Sequence, residues 1–167
     1  MKNSKKLTKA EIQEKIKVSG MAAFIVTLII GGVLALLAVM AIVNGVVRLE
    51  KADWQTEFVI RTALSVFNYG FSSVVALLTA GLLYEIQKSY TPFAKKVGKY
   101  LAGISFLFSI MGLAVLVCGM IIDKIAPSFD TISEFVFPIV IAGIVFAVLA
   151  RVFEYGRLLQ QESDETL

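Results

Sequence analysis

Charge divides this chain into blocks. Between Lys17 and Arg48 all 30 positions are uncharged, and Met21–Val43 is apolar apart from Thr27 and two glycines. Two further blocks, Thr62–Tyr84 and Tyr100–Ile122, each hold 23 uncharged positions. At about 1.5 Å rise per residue, 23 helical residues reach about 35 Å, enough to cross a hydrocarbon core of about 30 Å with some tilt. The fourth block, Phe135–Ala150, has 16 positions and reaches about 24 Å. It crosses if Ile132 and Ser133 join it and Arg151 snorkels to the interface. Four spans are expected, at about 21–47, 60–84, 100–122 and 132–151. The first is far longer than the apolar core of a cleaved signal peptide, so it is expected to be a retained transmembrane helix.

Composition agrees. The chain is 57% apolar and 17% charged, with a mean hydropathy of +0.81, against about 45–50% and about 25% in soluble domains. A soluble domain and a disordered chain are both excluded. The expected fold is all-α: an integral membrane four-helix bundle forming one domain over 1–167. Residues 1–20 would form a cytoplasmic N-terminal segment carrying an amphipathic helix, and 152–167 a helical cytoplasmic extension. Lys and Arg number six in 1–20, four in 85–100 and two in 151–167, against three in 48–61 and one in 123–134. The positive-inside rule then predicts both termini and the middle loop in the cytoplasm of a cell (inner) membrane. The net charge of +3 needs only the anionic leaflet as its partner, and no direct nucleic-acid binding is expected.

Helix-end signals refine this. Leu7-Thr8-Lys9-Ala10-Glu11-Ile12 matches a capping box with a hydrophobic staple, predicting a helix from about Thr8. That helix either lies on the leaflet or runs straight into the first span, with Gly20 permitting a bend. Thr91-Pro92-Phe93 predicts a second start, with Thr91 as N-cap and Pro92 at the first helical position. Phe93, Val97 and Tyr100 then share a face, leaving Lys95, Lys96 and Lys99 elsewhere, as in an amphipathic lead-in at the membrane surface. Thr131–Glu134 repeats the capping pattern, and Pro138 is expected to kink the fourth helix or strain its start.

Small and polar residues mark packing faces in lipid, where helices associate by close approach and hydrogen bonds. The first span carries Ala23, Thr27, Gly31, Ala38, Ala41 and Gly45. The second carries Ser65, Asn68, Ser72, Ala76 and Thr79, and the third Ala102, Ser105, Ser109, Gly112 and Gly119. The same faces would serve a substrate path or a homo-oligomer, but packing is the default. Asn68, the most polar side chain near a span middle, reads as interhelical glue rather than a ligand site.

Chemistry is scarce. There is no histidine, and no Asp, Glu, Lys or Arg lies in the central part of any span, whereas ion-coupled transporters usually carry such a group. No nucleophile–base pair, paired carboxylates or phosphate-binding loop is present, so no enzyme and no cofactor or metal is expected. Cys118 reads as a buried, inert thiol. The ordered polar chemistry sits at the tail. Gly143, Ala147, Ala150, Glu154, Arg157 and Gln161 fall on one side of the last helix, opposite Val152, Tyr155, Leu158 and Leu159. Glu162, Asp164 and Glu165 oppose the helix dipole, so fraying is expected there. Glu154 needs a cation; Arg151, Arg157 or the loop residues Lys95, Lys96 and Lys99 are the candidates. Two arrangements remain open: Glu154 pins the tail to the middle loop, or it forms a local, screened pair.

Ala150–Leu167, containing Phe-Glu-Tyr-Gly and Glu-Ser-Asp-Glu-Thr-Leu, together with Thr-Pro-Phe at 91–93, resembles an uncharacterised bacterial four-span family catalogued as domain of unknown function 2975. Arg157-Leu158 departs from that family's pattern, and the first half of the chain agrees in hydropathy alone. The resemblance implies a membrane partner for a cytosolic helix-turn-helix regulator, by gene neighbourhood. Three functions compete on these grounds: a non-enzymatic regulator or interaction protein using its cytoplasmic face, a small transporter or channel subunit, and an immunity or envelope-stress protein against a membrane-active peptide.

Overall fold

A computed structural model describes residues 9–50, 56–125 and 136–165. Four helices make up these segments: α1 (Lys9–Glu50), α2 (Thr56–Ser89), α3 (Lys95–Ile125) and α4 (Phe137–Glu165). All four are long and apolar enough to cross a membrane. Thr8 and the Thr131–Glu134 capping pattern lie outside the described residues.

Neighbouring helices pack in chain order, α1 on α2, α2 on α3 and α3 on α4. Among the described residues α1 and α4 do not pack on each other, so the bundle is open. Each neighbouring pair is antiparallel. Along α1 and α2, Gly20 lies against Gln87 and Phe24 against Tyr84, while at the far end Gly45 meets Thr62 and Arg48 sits 4.7 Å over the Phe58 ring. Small residues on α1 are what allow this closeness. Gly31 and Gly45 are buried, and Ala23, Thr27, Ala38 and Ala41 are part-buried. Most of the remaining α1 surface is exposed aliphatic side chain, such as Leu36 at 65%. Water would not tolerate so large an apolar surface; hydrocarbon does.

A hydrogen bond from a serine ties each outer helix to its neighbour. The Ser73 hydroxyl donates to the Gly31 carbonyl at 2.9 Å, linking α2 to α1. The Ser105 hydroxyl donates to the Gly143 carbonyl at 3.0 Å, linking α3 to α4. A helical carbonyl already accepts from its own ladder, and without a side chain at the glycine its second lone pair is reachable. Between the two hairpins the contact at mid-bundle is aromatic and apolar. Phe71 meets the Phe108 ring edge-on at 5.2 Å, and Phe108 stacks on Phe146 at 5.6 Å. Met111, Val115 and Val136 form the core beside them, with Phe71 and Ile139 packed against it.

Several boundaries differ from the sequence reading. Residues 9–20 are the start of α1, which passes Gly20 without a break; of the two arrangements left open, the continuous helix is the one seen. Gln87 of α2 packs beside Gly20, so the hairpin outlasts its apolar stretch. Likewise α2 runs to Ser89, and α4 stays helical to Glu165 rather than fraying at Glu162. Pro138 is the second residue of α4; the residues before Val136, on which a kink or a strained start there depends, lie outside the described residues. Cys118 is exposed rather than buried, because Val115 and Gly119 take the inward positions of that turn.

Candidate functional site: the loop and tail at one end of the bundle

The α2–α3 connection begins with a helix stop. Tyr90 has φ 52°, a left-handed conformation that ends α2. Such a conformation costs a non-glycine residue about 1 kcal/mol. The Ser89 hydroxyl lies 2.7 Å from the Glu85 carbonyl and 3.0 Å from that of Thr91. Thr91 does not cap a helix starting at Pro92. Its hydroxyl accepts the Phe93 N–H at 3.2 Å, closing a local turn, and α3 starts at Lys95. The Val97 N–H donates to the Ala94 carbonyl at 2.9 Å. Val97 itself is fully buried and Phe93 half-buried, while Lys95, Lys96 and Lys99 are exposed.

This turn is the seat of the α4 tail. The Phe93 ring lies 5.8 Å from the Phe153 ring, tilted by 48°. It also covers Gly156 so closely that an added Cβ would collide with it. The Thr91 hydroxyl and the Gln160 side-chain oxygen approach to 3.5 Å. Lys96 reaches Glu85 at 3.6 Å, and Tyr100 fills the space above Gly81, so α2 and α3 are fastened at the same end.

Glu154 uses a neighbour on its own helix. Arg157 donates to both of its carboxylate oxygens, at 2.7 and 3.2 Å, and to Gln161 at 2.8 Å. One turn beyond the apolar stretch, the Glu154 carboxyl is held below the usual carboxylate range. The Arg157 hydrogen bond is the main cause, desolvation opposes it, and the charge of Lys95 adds a smaller pull. Its carboxylate lies beside Gly98 of α3. Tail and loop therefore meet, but through Phe93, Phe153 and Gly156. The Glu154 pair is the local one.

The other singled-out residues fall in two places. Arg151 and Lys99, with Lys95 and Glu154, line a groove of about 550 Å³ between α3 and α4. Asn68 lies in a separate cleft of about 460 Å³, bordered by all four helices. It is exposed there, and no interhelical hydrogen bond from it is seen among the described residues. Among the described residues no group of His, Cys, Asp and Glu could hold a metal ion.

Sequence reasoning missed Ser73, Phe153 and Gly156. Gly143, Phe146, Ala150, Phe153 and Gly156 follow one another at steps of three or four residues and mark the inward face of α4. The line drawn through Ala147 and Glu154 instead follows the groove at its edge.

No family model matches this chain, and no curated protein or solved structure matches it either.

Proposed function

We propose that this chain is a non-enzymatic protein of a bacterial cytoplasmic membrane, with both termini and the 85–100 loop inside, that acts by docking a soluble partner at that face. The observation that carries this reading is the seating of the α4 tail on the loop by Phe93 and Gly156. A solvated tail needs no such seat. Docked, it presents Arg157, Gln160 and Gln161 beside Thr91 as one polar surface. The resemblance to the uncharacterised four-span family supports a cytosolic regulator as that partner. The spans support a non-catalytic role, because their central parts carry no acid, base or charged nucleophile.

In-cell cross-linking from the 85–100 loop, followed by identification of the captured protein, tests this. One cytosolic protein should be captured by the full chain and lost on deleting 157–167 or on Gly156→Leu, with membrane insertion unchanged. An identical capture pattern from full and truncated chains would contradict it.

A second reading rests on the Asn68 cleft. An apolar cleft with one unpartnered amide suits a small amphiphile entering from the bilayer, as a transporter or channel subunit would require. Solute flux in liposomes that stops with Asn68→Leu would favour this reading over the first.

A further inference from the structure

The groove between α3 and α4 has a use that the docking reading does not assign. Its upper rim holds Lys95, Lys99 and Arg151, and its floor is made of small residues, among them Gly98, Ala102, Ala147 and Ala150. Lys99 and Arg151 bound the uncharged stretches of their helices at the same end of the bundle, which places the three cations at headgroup level. None of the three forms a salt bridge with a described residue. The single carboxylate on the rim, Glu154, is already bound to Arg157. The rim is therefore net positive.

Below the rim the groove has no polar demand. The Ser105 hydroxyl is spent on the Gly143 carbonyl, and the Ser109 hydroxyl donates to the Ser105 carbonyl at 3.0 Å. What remains is a slot of small side chains beside Phe106, which is 64% exposed on the lipid-facing side. A volume of about 550 Å³ is ligand-sized by comparison with the range of about 300–1,000 Å³. A cationic rim over an apolar slot matches one molecule already present in the bilayer.

We propose that this groove binds one anionic phospholipid, with its phosphate among Lys95, Lys99 and Arg151 and an acyl chain along Ala102 and Ala147. Charge complementarity selects the occupant: a zwitterionic lipid gains little from three cations, whereas clustered Lys and Arg at the cytoplasmic surface favour anionic headgroups.

Native mass spectrometry of the purified full chain tests this, titrating phosphatidylglycerol, phosphatidylcholine of the same acyl chains, and glycerol phosphate. The wild type should take up one phosphatidylglycerol at least about tenfold more tightly than phosphatidylcholine, and glycerol phosphate should not displace it. The triple variant Lys95→Gln/Lys99→Gln/Arg151→Gln should lose that preference. A control with the same charge change outside the groove, Arg48→Gln/Lys88→Gln/Lys124→Gln, should keep it. Ala147→Trp, which fills the slot, should abolish uptake with all charges present, and thermal melting should find each variant folded. Equal uptake of the two lipids, equal behaviour of the two triple variants, or displacement by glycerol phosphate would each overturn the assignment. So would a dimer that Ala147→Trp abolishes and the charge variants spare, since the groove would then belong to a second copy.

Discussion

The Phe93 ring covers Gly156, occupying the space where any side chain at 156 would stand. A loop aromatic and a missing Cβ thus bring together two segments 63 positions apart in the sequence. Removing either half should release the tail. Gly156→Leu forces the ring out, at an expected cost of about 1–3 kcal/mol for an overfilled contact. Phe93→Ala should cost about 2 kcal/mol, less than a fully buried phenylalanine because the ring is half-exposed. In a double variant the two losses should not add, since they break one contact. Thermal unfolding in detergent of the single and double variants measures this.

Close approach at the glycines governs the two hairpins. Gly31→Leu and Gly143→Leu should separate α1 from α2 and α3 from α4, lowering the melting temperature more than Ser73→Ala or Ser105→Ala. Each serine contributes about 0.6 kcal/mol through one interhelical hydrogen bond, whereas a leucine at either glycine displaces a whole helix. At Gly143 even a Cβ would stand 3.2 Å from that of Phe108. Leu36→Ile, on the exposed side of α1, should be neutral in the same assay.

Tyr90 offers a test of the loop alone. Its left-handed backbone suits glycine and opposes a β-branched residue. Tyr90→Gly should leave stability within about 1 kcal/mol of the wild type, since relieved strain offsets added chain entropy. Tyr90→Val should destabilise by more than that. The comparison is again a melting temperature, with Tyr84→Gly inside α2 as a damaging control.

How much of this was legible in the sequence varies with the physics involved. The four helices and the α1 face were legible, because an uncharged block and a stripe at three-to-four spacing both state their burial directly: Ala23, Thr27, Gly31, Ala38, Ala41 and Gly45 are all shielded. On α3 the same logic succeeded at Gly112 and Gly119 and failed at Ala102 and Ser109. There a large apolar set, from Val97 through Ile104 to Val115, packs inward instead, and lipid and protein accept apolar residues equally. The meeting of tail and loop was one of two readings, but its anchor was misplaced. A carboxylate announces its need for a partner, whereas Gly156 reveals its role only once Phe93 is seen above it.

Topology is read from the lysines and arginines. In a Cys118→Ala background, Gln55→Cys and Ser128→Cys should react with an impermeant thiol reagent applied to intact cells. Lys88→Cys and Ser163→Cys should react only after permeabilisation. External labelling at Lys88→Cys would reverse the orientation and move the tail surface out of the cytoplasm.

Hydrogen exchange over 157–165 in the full chain tests the central claim, that Phe93 and Gly156 rather than Glu154 hold the tail in place. Docked amides open less often than those of a free helix end. The account predicts protection in the wild type, the same protection in Glu154→Gln, and a loss of at least about tenfold in Gly156→Leu with the four spans still protected. Protection lost in Glu154→Gln and retained in Gly156→Leu would contradict it.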